Sequence, residues 1–568
     1  MAMPVFSGLR AALAQRLPRL RLKSDVRLAL AVSAIWLLAY NTAFWQQVFA
    51  TMWRPSPVTA LFIFSLGLAL LYAQTALLLL IPTRWGLRAA ASALFVIAAV
   101  TSYFSSHYGV IFDGDMIRNV AQTDSAEAFD LISAGLLLRT LLLGVIPAVL
   151  VWFVSVPPVN WRRQLVQRAV FIGGGAIVVL GFALATSASY ATFLREHKPV
   201  RAMVSPAALV WNSLAYLASQ SRIDNDLPRI DPGGAPQRVA TSRTADARPL
   251  VVVFVVGETA RAANFQLGGY ARPTNPQLAA RGDLFYFANA TSCATATATS
   301  LPCMFSHLER SQFRVADARR YSNLLDLVHA AGVAVQWRDN NSGCKGLCER
   351  VPTMDFFSDA ALRAGNALCS ASHCYDEVLL DGLPEQLAQL TADSLFVLHQ
   401  EGSHGPAYFE RYPPGHEFFT PACRSADLSR CSAEQVIAAY DNTIRYTDHV
   451  LASLISVLEA APVDALLVYA SDHGESLGEG GIYLHGLPYT FAPPEQTHVP
   501  MMMWMSNGFE ARRGVDRQCL AQATRGEASH DNLYHTVMGA VGVVNGSYNA
   551  QLDLLSRCLR SETPAQTQ

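Results

Sequence analysis

Hydrophobic and polar positions divide this chain of 568 residues into two unlike parts. In the first, five runs free of Asp, Glu, Lys and Arg are long enough to cross a bilayer: Leu28 to Trp53, Pro55 to Thr83, Ala89 to Phe112, Thr140 to Trp161 and Ala169 to Leu194. They predict five transmembrane helices. Met203 to Ser221 is shorter and amphipathic, and predicts an interfacial helix rather than a sixth span. Arg222 to Pro249 mixes Pro, Gly, Asp and Arg with no apolar period and reads as a linker. From Leu250 onward short apolar runs alternate with helical periods, which predicts an α/β sheet of mostly parallel strands. One of its helices is announced by Ser432 with Gln435 three residues later, a capping box ahead of a long amphipathic stretch. The expected organisation is an N-terminal segment over residues 1–27, a membrane domain over 28–194, an interfacial helix and linker over 195–249, and an α/β domain over 250–568.

Charge orients the spans. Arg10, Arg16, Arg19, Arg21, Lys23 and Arg27 precede the first, Arg84 and Arg88 follow the second, and Arg162, Arg163 and Arg168 follow the fourth. The loop between spans three and four holds Asp113, Asp115, Asp124, Glu127 and Asp130 against Arg118 alone. By the positive-inside rule the N-terminus lies in the cytoplasm and everything after the fifth span outside it. Composition agrees with a membrane protein: 51% of residues are hydrophobic, 15% are charged, and mean hydropathy is +0.22. A formal net charge of −1, with no basic stripe interleaved with aromatics, argues against nucleic acid as a partner.

Ten cysteines test that orientation independently. All lie in the second part of the chain, at 293, 303, 344, 348, 369, 374, 423, 431, 519 and 558. The first eight fall into four close pairs, the last two remain for each other, and no CxxC zinc pattern occurs. That is cysteine usage of an oxidising compartment, periplasmic or extracellular.

Candidate chemistry gathers where apolar runs end. Leu250 to Val256 runs into Gly257 and Glu258, Val333 to Trp337 into RDNNSGCKG, Leu395 to Leu398 into HQEGSHG, and Ala465 to Ala470 into SDHGE. In open α/β sheets the carboxyl ends of the strands are where ligands bind. Glu258, Asp472 and His473 are oxygen and nitrogen donors of the kind zinc accepts, with His404 and His485 at neighbouring segment ends. Each of these residues alone would more often be a turn or solvated side chain; their repetition at several strand ends points to a metal site. Group transfer there also needs a nucleophile, and a divalent cation lowers a hydroxyl pKa enough to supply one. The run TSCATATATSLPCMFS offers Thr295, Thr297 and Thr299 between Cys293 and Cys303. Periodicity cannot choose among them: a strand would set all three on one face, and a helix start would spread them.

The ordered motifs NVAQTDSAEAFDL, VVGETARAANFQLGGYARPTNP, TSCATATATSLPCMFS, WRDNNSGCKGLC, LHQEGSHGP and YASDHGESLGEGGIYLHG closely resemble those of the phosphoethanolamine transferases of the Gram-negative inner membrane, in particular the lipid A enzymes of polymyxin and colistin resistance. The resemblance spans nearly the whole chain. It implies five membrane helices, a bridging segment and a periplasmic domain of the alkaline phosphatase and sulfatase superfamily. It implies Thr297 as nucleophile, with Glu258, Thr297, Asp472 and His473 around one tightly bound zinc ion. His404 and His485 match positions that bind a second zinc or the phosphate and protonate the leaving group; Asn341, Lys345 and His399 match substrate-pocket positions. The implied bridges are Cys293 to Cys303, Cys344 to Cys348, Cys369 to Cys374, Cys423 to Cys431 and Cys519 to Cys558. One departure is Ala294, where many members have Gly. On this resemblance the expected reaction is two-step transfer of phosphoethanolamine from phosphatidylethanolamine to a phosphate of lipid A by a membrane-embedded monomer, through a phosphoethanolamine-threonine and with release of diacylglycerol. Thr295 and Thr299 are expected to be spacers. Alternatives are another acceptor (core heptose, Kdo or a periplasmic glucan), a metal-dependent phosphatase or sulfatase with water as acceptor, and a non-catalytic lipid sensor.

Overall fold

A computed structural model describes residues 21–123, 128, 131–196, 198–220, 229–239, 248–370 and 373–560. The chain separates into two compact units: residues 1–117 with 132–218, and residues 118–131 with 219–568. The first unit is helical. Its helices α1 (Asp25–Ala39), α2 (Thr42–Met52), α3 (Pro57–Leu79), α4 (Arg84–His107), α5 (Ala134–Phe153) and α6 (Trp161–Ala185) contain four spans long and apolar enough to cross a membrane, or five when α1 and α2 count as one bent span. Only 6% of the most apolar window of α6 is buried, so its Leu, Val and Ile side chains face outward, as lipid contact requires.

The helix limits differ from the charge-free runs, for identifiable reasons. The first run bends by 63° between α1 and α2. Asn41 stands at the break and its amide donates to Trp36 O, the carbonyl that also accepts from Tyr40 N, and to Ser205 O, 2.8 Å each, tying the bend to a distant segment. The fourth span begins earlier than expected and ends at Phe153, ahead of Pro157 and Pro158. Inside it, Thr140–Val145 is a π-helical turn, where Gly144 lets the helix approach α4: a Cβ there would sit 3.2 Å from Val96 Cα. The fifth helix starts at Trp161 rather than Ala169 because Arg168 is neutralised inside the bundle by Asp25, 2.5 Å away. The segment expected to be an interfacial helix is helical as α7 (Ala207–Gln220), with Trp211, Leu214 and Leu217 exposed.

The second unit is built on one seven-stranded sheet. Its strands are β1 (Leu250–Gly257), β2 (Phe285–Phe287), β3 (Ala334–Asp339), β4 (Thr353–Asp355), β5 (Ser394–His399), β6 (Asp464–Ser471) and β7 (Met501–Met505), in the spatial order β2-β7-β6-β1-β5-β3-β4. The four apolar runs singled out in the sequence are β1, β3, β5 and β6, all parallel neighbours in the middle of the sheet. β7 runs antiparallel to β6 and to β2. β1 is buried along its whole length, as a central strand covered on both faces must be. Below the sheet, Leu324, Leu325, Leu327, Val537 and Met538 pack on Val252, Phe254 and Leu466. The predicted capping box opens α8 (Ala433–Ala460): Ser432 accepts from Gln435 N and the Gln435 side chain accepts from Ser432 N. Part of the expected linker is ordered against this unit. Gln237–Arg238 pair with Val543–Val544, and Asn545 donates to Pro232 O and Gly234 O. Residues 221–228 and 240–247, the rest of that linker, lie outside the described residues. All ten cysteines are bridged in the five pairs that the resemblance implies.

Candidate active site

The register of the central strands brings three candidate ligands together. Glu258 follows the last residue of β1, and Asp472 and His473 follow the last residue of β6, where Gly257 is paired with Ser471. One donor atom from each of Glu258, Asp472 and His473 lies within 4.8 Å of the others, and all three residues are buried. Thr297, the first residue of the short helix Thr297–Met304, completes the cluster. Its Oγ1 is 3.1 Å from each Glu258 oxygen and 3.2 Å from His473 Nε2. His473 Nε2 is 3.3 Å from Glu258 Oε1 and 3.4 Å from Asp472 Oδ2.

This donor set fits a divalent cation. His473 Nδ1 faces the Gly474 carbonyl at 2.9 Å; a carbonyl only accepts, so the proton sits on Nδ1 and the Nε2 lone pair points at the carboxylates. Asp472 Oδ2 is buried and takes no hydrogen bond among the described residues. Two carboxylates and an imidazole nitrogen converging in a buried position make an anionic hole that calls for a positive charge. The same excess of negative charge acts on the His473 ring, where a cation must displace the Nε2 proton to be bound: burial lowers the His473 pKa, but the Asp472 and Glu258 carboxylates push it up to about 10.

The cluster is held by groups that sequence reasoning did not single out. Thr259 adopts φ +58°, a backbone conformation costly for a β-branched residue. In return its N–H donates to Asp472 Oδ1 at 3.1 Å and its hydroxyl to Glu258 Oε1 at 2.5 Å. Gly402 has φ +57°, and a Cβ there would meet Glu258 O at 2.6 Å. His530 is buried and held neutral, its pKa lowered by burial to about 3; it accepts from Cys293 N at 3.0 Å and donates to Ser471 O at 2.9 Å. It thereby ties the cysteine-bracketed loop to the end of β6. No local pattern marks these three; each acts through a contact distant in sequence.

The remaining expected site residues separate into two groups. His485 is close: its ring centroid is 4.3 Å from that of His473 and 5.5 Å from that of His404, and its Nδ1 is 2.8 Å from Glu475 Oε2. Asn341 donates to Glu258 Oε2 at 3.1 Å and to Gln400 O at 2.8 Å, so it braces a ligand. His399 is fully buried, 3.1 Å from Asp339 Oδ1. Lys345, at φ +50°, turns its ammonium onto Ser342 O and Oγ, 2.9 Å each. The flanking threonines are otherwise engaged: Thr295 Oγ1 donates to Leu487 O at 2.6 Å, and Thr299 Oγ1 is 3.5 Å from Arg118 Nη1. Thr295 is therefore a tie to the segment bearing His485 rather than a bare spacer.

Residues 70–221 match the family described as phosphoethanolamine transferase EptA/EptB, and residues 251–543 match the family described as sulfatase. Phosphoethanolamine transferase EptA of Salmonella typhimurium is 38% identical over 537 residues, covering 92% of this chain and 97% of that protein. The chain belongs to the phosphoethanolamine transferase family. Phosphatidylethanolamine transferase Mcr-1 of Escherichia coli is 40% identical, over 75% of this chain and 80% of that one. The integral membrane lipooligosaccharide phosphoethanolamine transferase A of Neisseria meningitidis superposes with a TM-score of 0.88 at 35% identity, covering 96% of this chain and all of that one. The transferase family is one of membrane enzymes with a C-terminal soluble domain, and this chain has both parts.

Proposed function

We propose that this transferase moves phosphoethanolamine from phosphatidylethanolamine to a phosphate group of lipid A, with Thr297 as the covalent carrier, on the periplasmic side of the Gram-negative inner membrane. The observation that supports this best is the position of one hydroxyl. Of the three threonines in the bracketed loop, only Thr297 meets Glu258 and His473. A zinc ion held by Glu258, Asp472 and His473 would supply the Lewis acidity that favours an alkoxide at the neighbouring hydroxyl and stabilises charge on phosphoryl oxygens. Thr297 Oγ1 attacks the donor phosphorus in line; the bond from phosphorus to the glycerol oxygen breaks, and diacylglycerol leaves with a proton from His404 or His485. Glu475 orients His485 for that transfer through Nδ1. An acceptor phosphate oxygen then attacks the same phosphorus, and the Thr297 oxygen leaves. Each step makes one P–O bond and breaks one. Lipid A as acceptor is favoured by the lipooligosaccharide named for the N. meningitidis enzyme, which this chain matches end to end.

The test is peptide mass spectrometry of the full chain after incubation with phosphatidylethanolamine alone. A phosphoethanolamine adduct on Thr297 is expected; an adduct on Thr295 or Thr299, or none, defeats the assignment. Lipid A from cells expressing the wild type should carry added phosphoethanolamine, and that from Thr297→Ala cells should not. Unmodified lipid A beside a modified Kdo, heptose or glucan would reassign the acceptor.

A further inference from the structure

Two arginines of the helical unit differ in how their charge is met. Arg168 is neutralised by Asp25 and also donates to Leu79 O and Ile81 O, at the end of the bundle where α1 begins. Arg139 stands at the other end, where α1 and α4 finish and α5 begins. Its one hydrogen bond among the described residues runs from Nη2 to Ser102 Oγ and is long, 3.4 Å. Its Nε is buried without a partner. The titratable groups beside it are the phenols of Tyr40 and Tyr103, uncharged at neutral pH. Both are committed elsewhere: Tyr40 OH donates to Leu143 O, and Tyr103 OH lies 2.8 Å from Ser133 Oγ. Among the described residues no carboxylate pairs with Arg139.

A guanidinium set between helices without an anion is costly, and its planar fork of donors matches phosphate oxygens. Arg139 lies only about 7.5 Å along α5 from Ala134, shallow enough for its terminal nitrogens to reach a lipid headgroup. An apolar flank continues from it: Leu138, Leu142, Val145 and Val149 are all exposed. From Leu138 to Val149 the helix rises about 16 Å, against about 15 Å for half of a bilayer's hydrocarbon core. A lipid with its phosphate at Arg139 would therefore lay an acyl chain along α5 to the middle of the membrane.

We infer that Arg139 binds the phosphodiester of a membrane phospholipid, with one acyl chain on the exposed stripe of α5. The site lies within the helical unit and is independent of the assignment of Thr297. Phosphatidylethanolamine and phosphatidylglycerol share the chemistry it recognises. A purely structural role would be to brace α4 through Ser102.

Native mass spectrometry of the delipidated full chain in detergent separates the two. The protein is titrated with phosphatidylethanolamine, with phosphatidylglycerol, and with diacylglycerol, which has the chains but no phosphate. Wild type should bind one phospholipid about tenfold more tightly than diacylglycerol, or better, as a charge-assisted hydrogen bond warrants. Arg139→Gln should erase that difference, and Arg163→Gln, which changes an exposed arginine of α6, should keep it. Preference for phosphatidylethanolamine would support the site as one for the donor lipid; equal binding of the two would support it as one for phospholipids in general. Diacylglycerol bound as tightly as phospholipid by wild type overturns the site, and so does phospholipid bound as tightly by Arg139→Gln as by wild type. Where Arg139→Gln does not survive purification, Arg139→Lys keeps the charge and loses the fork. Its affinity for phospholipid should fall severalfold with that for diacylglycerol unchanged, and an undiminished phospholipid affinity would overturn the site.

Discussion

A methyl group on residue 402 would stand 2.6 Å from Glu258 O and 2.9 Å from Glu258 N, closer than real Cβ contacts allow, and on a backbone at φ +57°. Neither neighbour is a flexible side-chain end, so Gly402→Ala must move the backbone that carries a carboxylate of the candidate metal site. The transfer rate is expected to fall at least tenfold, about 1.4 kcal/mol in the barrier. Zinc content of the purified protein should fall with it, since the displaced group is Glu258 rather than Thr297. Full activity and full zinc would show that the loop gives way without disturbing the ligand. This is also where legibility in the sequence stops. Glu258, Asp472 and His473 were readable because strand ends in a parallel sheet are where polar residues have work to do. Gly402 and Thr259 were not, because a positive φ and a close approach across 144 positions leave no mark in hydropathy.

The helix Thr297–Met304 has eight residues and Pro302 inside, too short and too interrupted to persist alone. What holds it is tertiary: the Cys293–Cys303 bridge, Thr295 on Leu487 O, and His530 between Cys293 N and Ser471 O. Replacing Cys293 and Cys303 by serine together removes the first tie and about 3 kcal/mol of stability by loop-closure entropy. Replacing Cys423 and Cys431, which close a loop of similar length elsewhere, should cost about the same. Thermal unfolding should therefore shift alike in the two double variants, while transfer activity measured below both transitions falls only in the first. Equal activity would mean that the bracket stabilises without positioning. At this scale the sequence was informative about β1, β3, β5 and β6 and about the capping box of α8, where apolar runs and cap residues are local signals. It was silent on β2, β4 and β7 as neighbours, on the bend at Asn41, and on the ordering of residues 229–239, all of which depend on partners far along the chain.

For the membrane-spanning unit the decisive cost is charge buried away from water. Arg168 and Asp25 are both nearly inaccessible, and Arg168 makes more than an ion pair: while Nε and Nη2 donate to Asp25, Nη1 donates to Leu79 O and Ile81 O, carbonyls at and just past the C-terminal end of α3 that no helical N–H can reach. Three helices, α1, α3 and α6, are thus joined at one end of the bundle by one guanidinium. Arg168→Leu leaves two carbonyls unpaired and a buried carboxylate without its counter-charge, held only by Gln164 Nε2 and Val26 N, a loss of about 3–5 kcal/mol. Asp25→Asn removes only the charge and keeps an acceptor for Arg168, and should destabilise less. Combining Asp25→Leu with Arg168→Leu recovers the part owed to the stranded carboxylate but not the part owed to the carbonyls, so its unfolding temperature in detergent should lie between wild type and Arg168→Leu. A double variant as unstable as Arg168→Leu would assign the whole effect to the carbonyls of α3; one as stable as wild type would assign it to the ion pair.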